Sequence, residues 1–245
     1  LSTTNKITFT IGNLDSYFVE NTLPPIEAYK KIPDWYKDLA SYRSGSSNNI
    51  KYLCPVNDRG QDGSDVSTKL CTPFIDAMVS GYIQPLSEDV NVRVDENEKP
   101  SLEWSSTLQI IDVRPSVDLA IPQDCYPIHF GWKMAWHYET PPGYSVLITH
   151  PFNRFDLPFY VPSGIVDSDI WGLPVFLPFF LKRGFEGIIE KGTPQFQMIP
   201  IKRDKWELEI DNSKETFLKH KILEETRRAS MTGHYKKTAW QKKNY

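Results

Sequence analysis

Cysteine is scarce in this chain. Three occur in 245 residues, Cys54, Cys71 and Cys125, an odd number at irregular spacings. They form no CxxC and no Cys/His zinc pattern, which argues against a disulfide framework or a zinc module and points to free, buried thiols in a reducing compartment. Long apolar runs are missing as well. The most apolar stretch, Leu173 to Leu181, contains Pro174 and Pro178 and is far too short to span a bilayer. Charge of one sign is also lacking: 28 basic against 31 acidic residues leave a net charge of −3, so no whole-chain field attracts nucleic acid or an acidic membrane. Nor is there a GxGxxG, GxxxxGK(S/T) or GxSxG motif, so dinucleotide, P-loop and α/β-hydrolase chemistry lose their usual support. No signal peptide is read at the N-terminus, and Leu1 in place of methionine suggests a trimmed start.

What is present is apolar and aromatic enough for a packed core. Hydrophobic residues make up 40%, aromatics 13%, and there are 19 prolines. That pairing suits strands and loops better than a helical bundle, because proline interrupts helices and aromatic rings favour pleated surfaces. Strands are expected at Lys6–Ile11, Val90–Val94, Thr107–Val113, Ile128–Trp136, Tyr144–Thr149, Phe159–Val161, Pro174–Phe180, Gln195–Ile201 and Trp206–Ile210. Short helices are expected at Trp35–Leu39 and from Thr72 to about Ser80, the second opened by Thr72-Pro73. Ser41 to Gly63 reads as loop. From Asn212 the chain changes to a helix capped by Ser213, followed by a basic tail with Lys236, Lys237, Lys242 and Lys243. Three parts follow: a mixed N-terminal segment over 1–88, a β core over 89–211, and a helix with tail over 212–245.

Three segments carry a resemblance. Pro141-Pro142-Gly143 is a stiff turn into a strand; Gly164-Ile-Val-Asp-Ser-Asp-Ile-Trp-Gly172 places Asp167 and Asp169 two apart; Gly192 precedes a strand containing Gln197. In order and spacing these resemble the trimeric dUTPase and dCTP deaminase superfamily, over about 60 of the 245 residues. The resemblance implies a β-clip barrel or sandwich core, a homo-oligomer with trimers as the family's form, and a water-activating role at Asp167. It also implies nucleotide contacts by Asp169, Asn153 and Gln197, with magnesium as the cofactor of a bound nucleotide. The chain departs from the family where phosphates are held. Pro151-Phe-Asn-Arg154 stands in place of an Arg-Ser-Gly segment, Ile170 stands in place of a tyrosine, and Gly233 is the one glycine of the C-terminal stretch where the family has a Gly-rich arm. Positioning supplies much of an enzyme's rate, so the fold is expected to carry over and the activity is not. As a whole the chain also resembles a group of uncharacterised tailed-phage proteins frequent in marine sequences. The phrases are Ile32-Pro-Asp-Trp-Tyr, Cys71-Thr-Pro-Phe-Ile-Asp, His150-Pro-Phe-Asn-Arg and Gly192-Thr-Pro. That implies a host-cytoplasmic or virion location, with other phage proteins as partners, and no established activity.

Each candidate residue also has a plainer reading. Asp167 and Asp169 can satisfy turn amides at a strand end instead of serving catalysis, and Gln197 can satisfy a buried backbone group. His129 and His137 share an expected strand face but stand too far apart along it to bind one ion, so no metal site is expected. Trp132 and Trp136, four apart on the same expected strand, read as a core or interface seam. The expected function is therefore a non-catalytic accessory or structural protein. A divergent nucleotide binder or hydrolase is the alternative, and a nucleic-acid contact through the basic tail is the third.

Overall fold

The protein is described by a computed structural model covering residues 5–43, 65–114, 119–174, 176–229 and 234–243. Cys54 and most of the expected Ser41–Gly63 loop lie outside the described residues. The fold is mainly β, with antiparallel pairing throughout. It divides into two compact units, one of residues 1–31 and 78–203, the other of 32–77 and 204–244.

In the first unit a five-stranded sheet runs in the order Gly164–Val166, Tyr144–Thr149, Pro194–Lys202, Tyr82–Pro85, Ile26–Glu27. A four-stranded sheet runs Phe159–Tyr160, Phe176–Lys182, Cys125–Lys133, Ile111–Arg114, and a three-stranded one Gly187–Ile189, Val90–Val94, Pro100–Glu103. Thr8–Ile11 pairs with Trp136–Glu139. The central sheet thus takes in strands that precede residue 89, and residues 204–211 fall in the second unit.

Pro194 to Ile199 is buried at six successive positions, so both faces of this strand are covered and the usual in–out alternation disappears. The core gathers on Trp132, whose indole stacks on Phe179 at 3.9 Å between centroids, with Phe159 packed edge-on against both. Such aromatic pairs add about 0.5–1.5 kcal/mol beyond the area they bury.

Beyond the strand expected over Thr107–Val113, where the strand that forms is Ile111–Arg114, two sequence expectations need correction. The single strand expected over Ile128–Trp136 is two strands, Cys125–Lys133 and Trp136–Glu139, which belong to different sheets. The chain changes sheets at Met134-Ala135, where Ala135 O accepts a hydrogen bond from Gly12 N at 2.9 Å. His129 and His137 therefore share no strand face. Trp132 is fully buried, while Trp136 is half-buried and donates its indole N–H to Leu23 O. The second correction concerns Trp206–Ile210, which pairs with no strand among the described residues.

The second unit contains the short helix Asp34–Lys37, the helix Thr72–Val79 up to Ala77, the pair Tyr42–Arg43 with Asp65–Val66, and the helices Lys214–Ala229 and His234–Thr238. Tyr36 stacks on Phe74 at 5.9 Å and is buried there.

Candidate functional site

The segments carrying the resemblance meet at one end of the five-stranded sheet. Val146 pairs with Val166, so Asp167, one residue on, comes beside Ser145. The Ser145 hydroxyl donates to Asp167 Oδ1 at 2.7 Å. The chain then turns: Asp167 O accepts the N–H groups of Ile170 and Trp171, at 3.0 and 2.8 Å. That turn carries Asp169 back to the Pro141-Pro142-Gly143 corner, where its Oδ2 accepts Gly143 N–H at 2.7 Å. Gly143 has φ +86°, the left-handed region where glycine is at ease. Gly172 closes the turn for a different reason. A Cβ there would lie 2.6 Å from Tyr138 O, so only glycine permits the approach.

Arg203 completes the arrangement. Tyr144 pairs with Lys202, which sets Arg203 beside the corner with its N–H on Gly143 O at 2.9 Å. Its Nη1 donates to Asp169 Oδ1 at 2.8 Å and to Tyr144 O at 2.8 Å, with Ser145 Oγ at 3.1 Å and Asp167 Oδ1 at 3.3 Å. Nη2 reaches Asp169 Oδ2 at 2.5 Å. A planar fork against a carboxylate is the strongest geometry an ion pair adopts. The Arg203 guanidinium, followed by the Gly143 N–H, holds the Asp169 carboxyl down to about 2. Asp169 is 6% exposed at the side chain and both its oxygens are occupied; Asp167 is 61% exposed, with Oδ1 shared between Ser145 and Arg203. Chemically this is an arginine–carboxylate clamp that ties three chain segments together.

Gln197 and Asn153 belong to a second place. Gln197 lies opposite Thr149, and Ser145 lies opposite Ile201, four residues along the same strand and so about 13 Å away. Gln197 is fully buried, accepts Phe152 N–H on Oε1 at 2.8 Å and donates from Nε2 to Ser80 O at 2.5 Å. Asn153 takes a left-handed φ of +61° in the turn after His150, which asparagine tolerates better than most residues. The same turn is held by His150 Nε2 on Arg154 O at 3.0 Å and by Arg154 forked on Asp156. The four candidate residues thus form two separate clusters within the chain, Asp167 with Asp169 and Gln197 with the Asn153 turn.

The remaining candidates are scattered. Among the described residues no three His, Cys, Asp or Glu side chains stand close enough to hold a metal ion, and no helix is long and apolar enough to cross a membrane. Cys71 is exposed. Cys125 is buried, and that burial, with Asp124 beside it, pushes its thiol up to about 11. In the tail, Trp240 Nε1 donates to Asp76 Oδ2 at 2.8 Å and Lys243 pairs with the same oxygen at 2.9 Å. The Arg228 side chain and Tyr245 lie outside the described residues.

Arg203 is the residue that sequence reasoning missed. Its one sequence signal is a position directly after an expected strand. Its carboxylate partners lie 34 and 36 residues away, and the strand register that joins them has no local signature. No protein-family model matches the chain, and no curated protein is significantly similar to it.

Proposed function

We propose that this chain is a non-catalytic structural protein of the phage-accessory kind, acting in the host cytoplasm or the virion, whose β-clip-like core assembles with further copies of itself. The observation that carries this reading is the occupation of the carboxylate pair by Arg203. A general base needs a free lone pair aimed at the proton it removes. Both oxygens of Asp169 are engaged by Arg203 and the Gly143 N–H, and Asp167 Oδ1 already serves Ser145 and Arg203. Asn153 and Gln197, the expected phosphate and base contacts, are at the other end of the strand, and Gln197 is committed to backbone groups. No cofactor is required by this reading; magnesium enters only with a bound nucleotide.

Assembly is supported by the surface beside the clamp. Ile165 and Ile170 are 65% and 81% exposed, and Trp171 next to them is also exposed. Large exposed apolar side chains gathered in one short segment fit an interaction surface. A ring closed by repeating one contact, such as a trimer, fits a chain whose complementary surfaces differ. The tail gives less support to nucleic-acid binding, because Asp76 already pairs Lys243 and anchors Trp240.

Light scattering on the purified chain, run beside a thermal-shift screen of deoxynucleoside mono-, di- and triphosphates with magnesium, tests the proposal. A mass of several chains with no nucleotide shift is expected. A single-chain mass overturns the assembly reading. A shift for one nucleotide that Asp167→Asn removes would replace it with the nucleotide reading.

A further inference from the structure

The sequence Lys205-Trp-Glu-Leu-Glu-Ile-Asp211 alternates as an edge strand does, yet it pairs with nothing among the described residues. Trp206, Leu208 and Ile210 are 87%, 91% and 75% exposed, all on one side if the segment is extended. The other side is Lys205, Glu207, Glu209 and Asp211, fully polar. A strand with one apolar and one charged face is built to lie on something, because removing large apolar side chains from water is favourable. The following helix, Lys214–Ala229, repeats the pattern with Phe217, Ile222 and Leu223 exposed.

The same chain carries an edge that lacks a strand. Among the described residues, Gly164–Val166 pairs on one side only, with Tyr144–Thr149, and ends the five-stranded sheet. Ile165 points out of it into solvent, and Ile170 and Trp171 continue the apolar surface past the edge. An edge strand beside exposed apolar side chains is what an added strand needs, and of this edge Val166 O already accepts Ser168 N–H at 2.9 Å.

Resting on the assembly reading above, we infer that residues 205–211 of one copy add as a strand to the Gly164–Val166 edge of a second copy. The occupant is a second copy because this chain supplies both halves of the contact: an alternating apolar segment and an apolar sheet edge, each without a partner strand among the described residues. Trp206, Leu208 and Ile210 then cover Ile165, Ile170 and Trp171. With the flanking backbone, those six large residues bring the contact to the order of 1,000 Å², the size at which specific interfaces begin. The contact is head-to-tail, so its repetition gives a ring where the rotation closes, leaving no free segment or edge, and an open filament where it does not.

Two experiments test this. In the first, Trp206, Leu208 and Ile210 are all changed to serine in the full chain. The mass by light scattering is expected to fall to that of one chain, with the circular dichroism spectrum unchanged. In the second, Cys54 and Cys71 are serine throughout, one preparation carries Leu208→Cys and another Ile165→Cys. The two are mixed, dissociated, reassociated and treated with a short bismaleimide. A covalent dimer is expected from the mixture and not from either preparation alone. An oligomer whose mass survives the triple change overturns this inference while leaving the assembly reading standing, whereas an unaltered chain of single-chain mass removes both. A mixture that gives no covalent dimer also overturns it.

Discussion

Arg203 and Asp169 meet fork to fork, Nη1 on Oδ1 at 2.8 Å and Nη2 on Oδ2 at 2.5 Å, and the guanidinium reaches on to Asp167 and to the Tyr144 carbonyl. One arginine thereby joins the end of the Pro194–Lys202 strand, the Pro141-Pro142-Gly143 corner and the turn after Gly164–Val166. The carboxylates that first suggest catalysis serve as the fastening of the sheet.

Acid should undo this fastening in a defined window. The Asp169 carboxyl lies at about 2 in the folded chain, lowered from 3.8 by Arg203 first and by the Gly143 N–H second. A carboxyl depressed on folding contributes stability that is complete above its unfolded value and is lost as pH falls through its folded one. The contribution of Asp169 should therefore fade between about pH 4 and pH 2. In Arg203→Met the melting temperature at pH 7 should drop by several degrees and its decline across that window should flatten. Thermal melts from pH 2 to 7 on both proteins check this; parallel curves would remove Arg203 as the cause.

Gln197 gives a stability prediction that separates its two readings. Its amide satisfies Phe152 N–H and Ser80 O with no exposure to solvent. Leaving two buried backbone groups unmet costs about 1–3 kcal/mol each, so Gln197→Leu should lose about 2–6 kcal/mol in urea unfolding. A side chain kept only to touch a ligand would show little change in the same experiment.

His150 sets a second, separate pH window. Burial lowers its pKa from the usual 6.5, with the Arg154 carbonyl opposing that shift. Nε2 must carry the proton in the neutral ring, since its partner is a carbonyl, and Nδ1 is then a buried acceptor without a donor. The folded state resists a second proton that the unfolded state accepts, so stability should be full above about pH 6.5 and decline below it. His150→Phe keeps a ring against Tyr160 and should lower overall stability while flattening the pH dependence between 5 and 7. Urea midpoints across that range decide it; an unchanged slope would assign the dependence elsewhere.

What could be read from the sequence, and what could not, follows from the range of the forces involved. Tyr144–Thr149, Val90–Val94 and the helix from Thr72 were legible because alternation, Gly-Pro punctuation and a Thr-Pro start act within a few residues. Met134-Ala135 was invisible as a break because an apolar run reads the same whether it stays in one sheet or passes into another. Trp206–Ile210 shows the converse: its alternation is a true strand signal, but a strand needs a partner, and pattern alone cannot supply one. Asp167 and Asp169 were visible as a pair, while the meaning of the pair lay in Arg203, joined to them only by strand register.

Trp132 offers the sharpest test of the core. Its indole is fully buried on Phe179, yet its N–H has no hydrogen-bond partner among the described residues. Two effects then oppose one another on substitution. Trp132→Ala removes the stack and leaves a cavity, a loss of about 3–5 kcal/mol. Trp132→Phe keeps a ring against Phe179 and also removes a buried polar group whose unmet hydrogen bond costs about 1–3 kcal/mol. The phenylalanine variant should therefore lose no more than about 1–2 kcal/mol, the cavity term partly offset by the N–H it no longer buries. Urea unfolding followed by circular dichroism measures both variants. Equal, large losses in the two would mean that the indole N–H makes a contact that stabilises the fold, and a core polar partner would have to be sought on the strands flanking Cys125–Lys133.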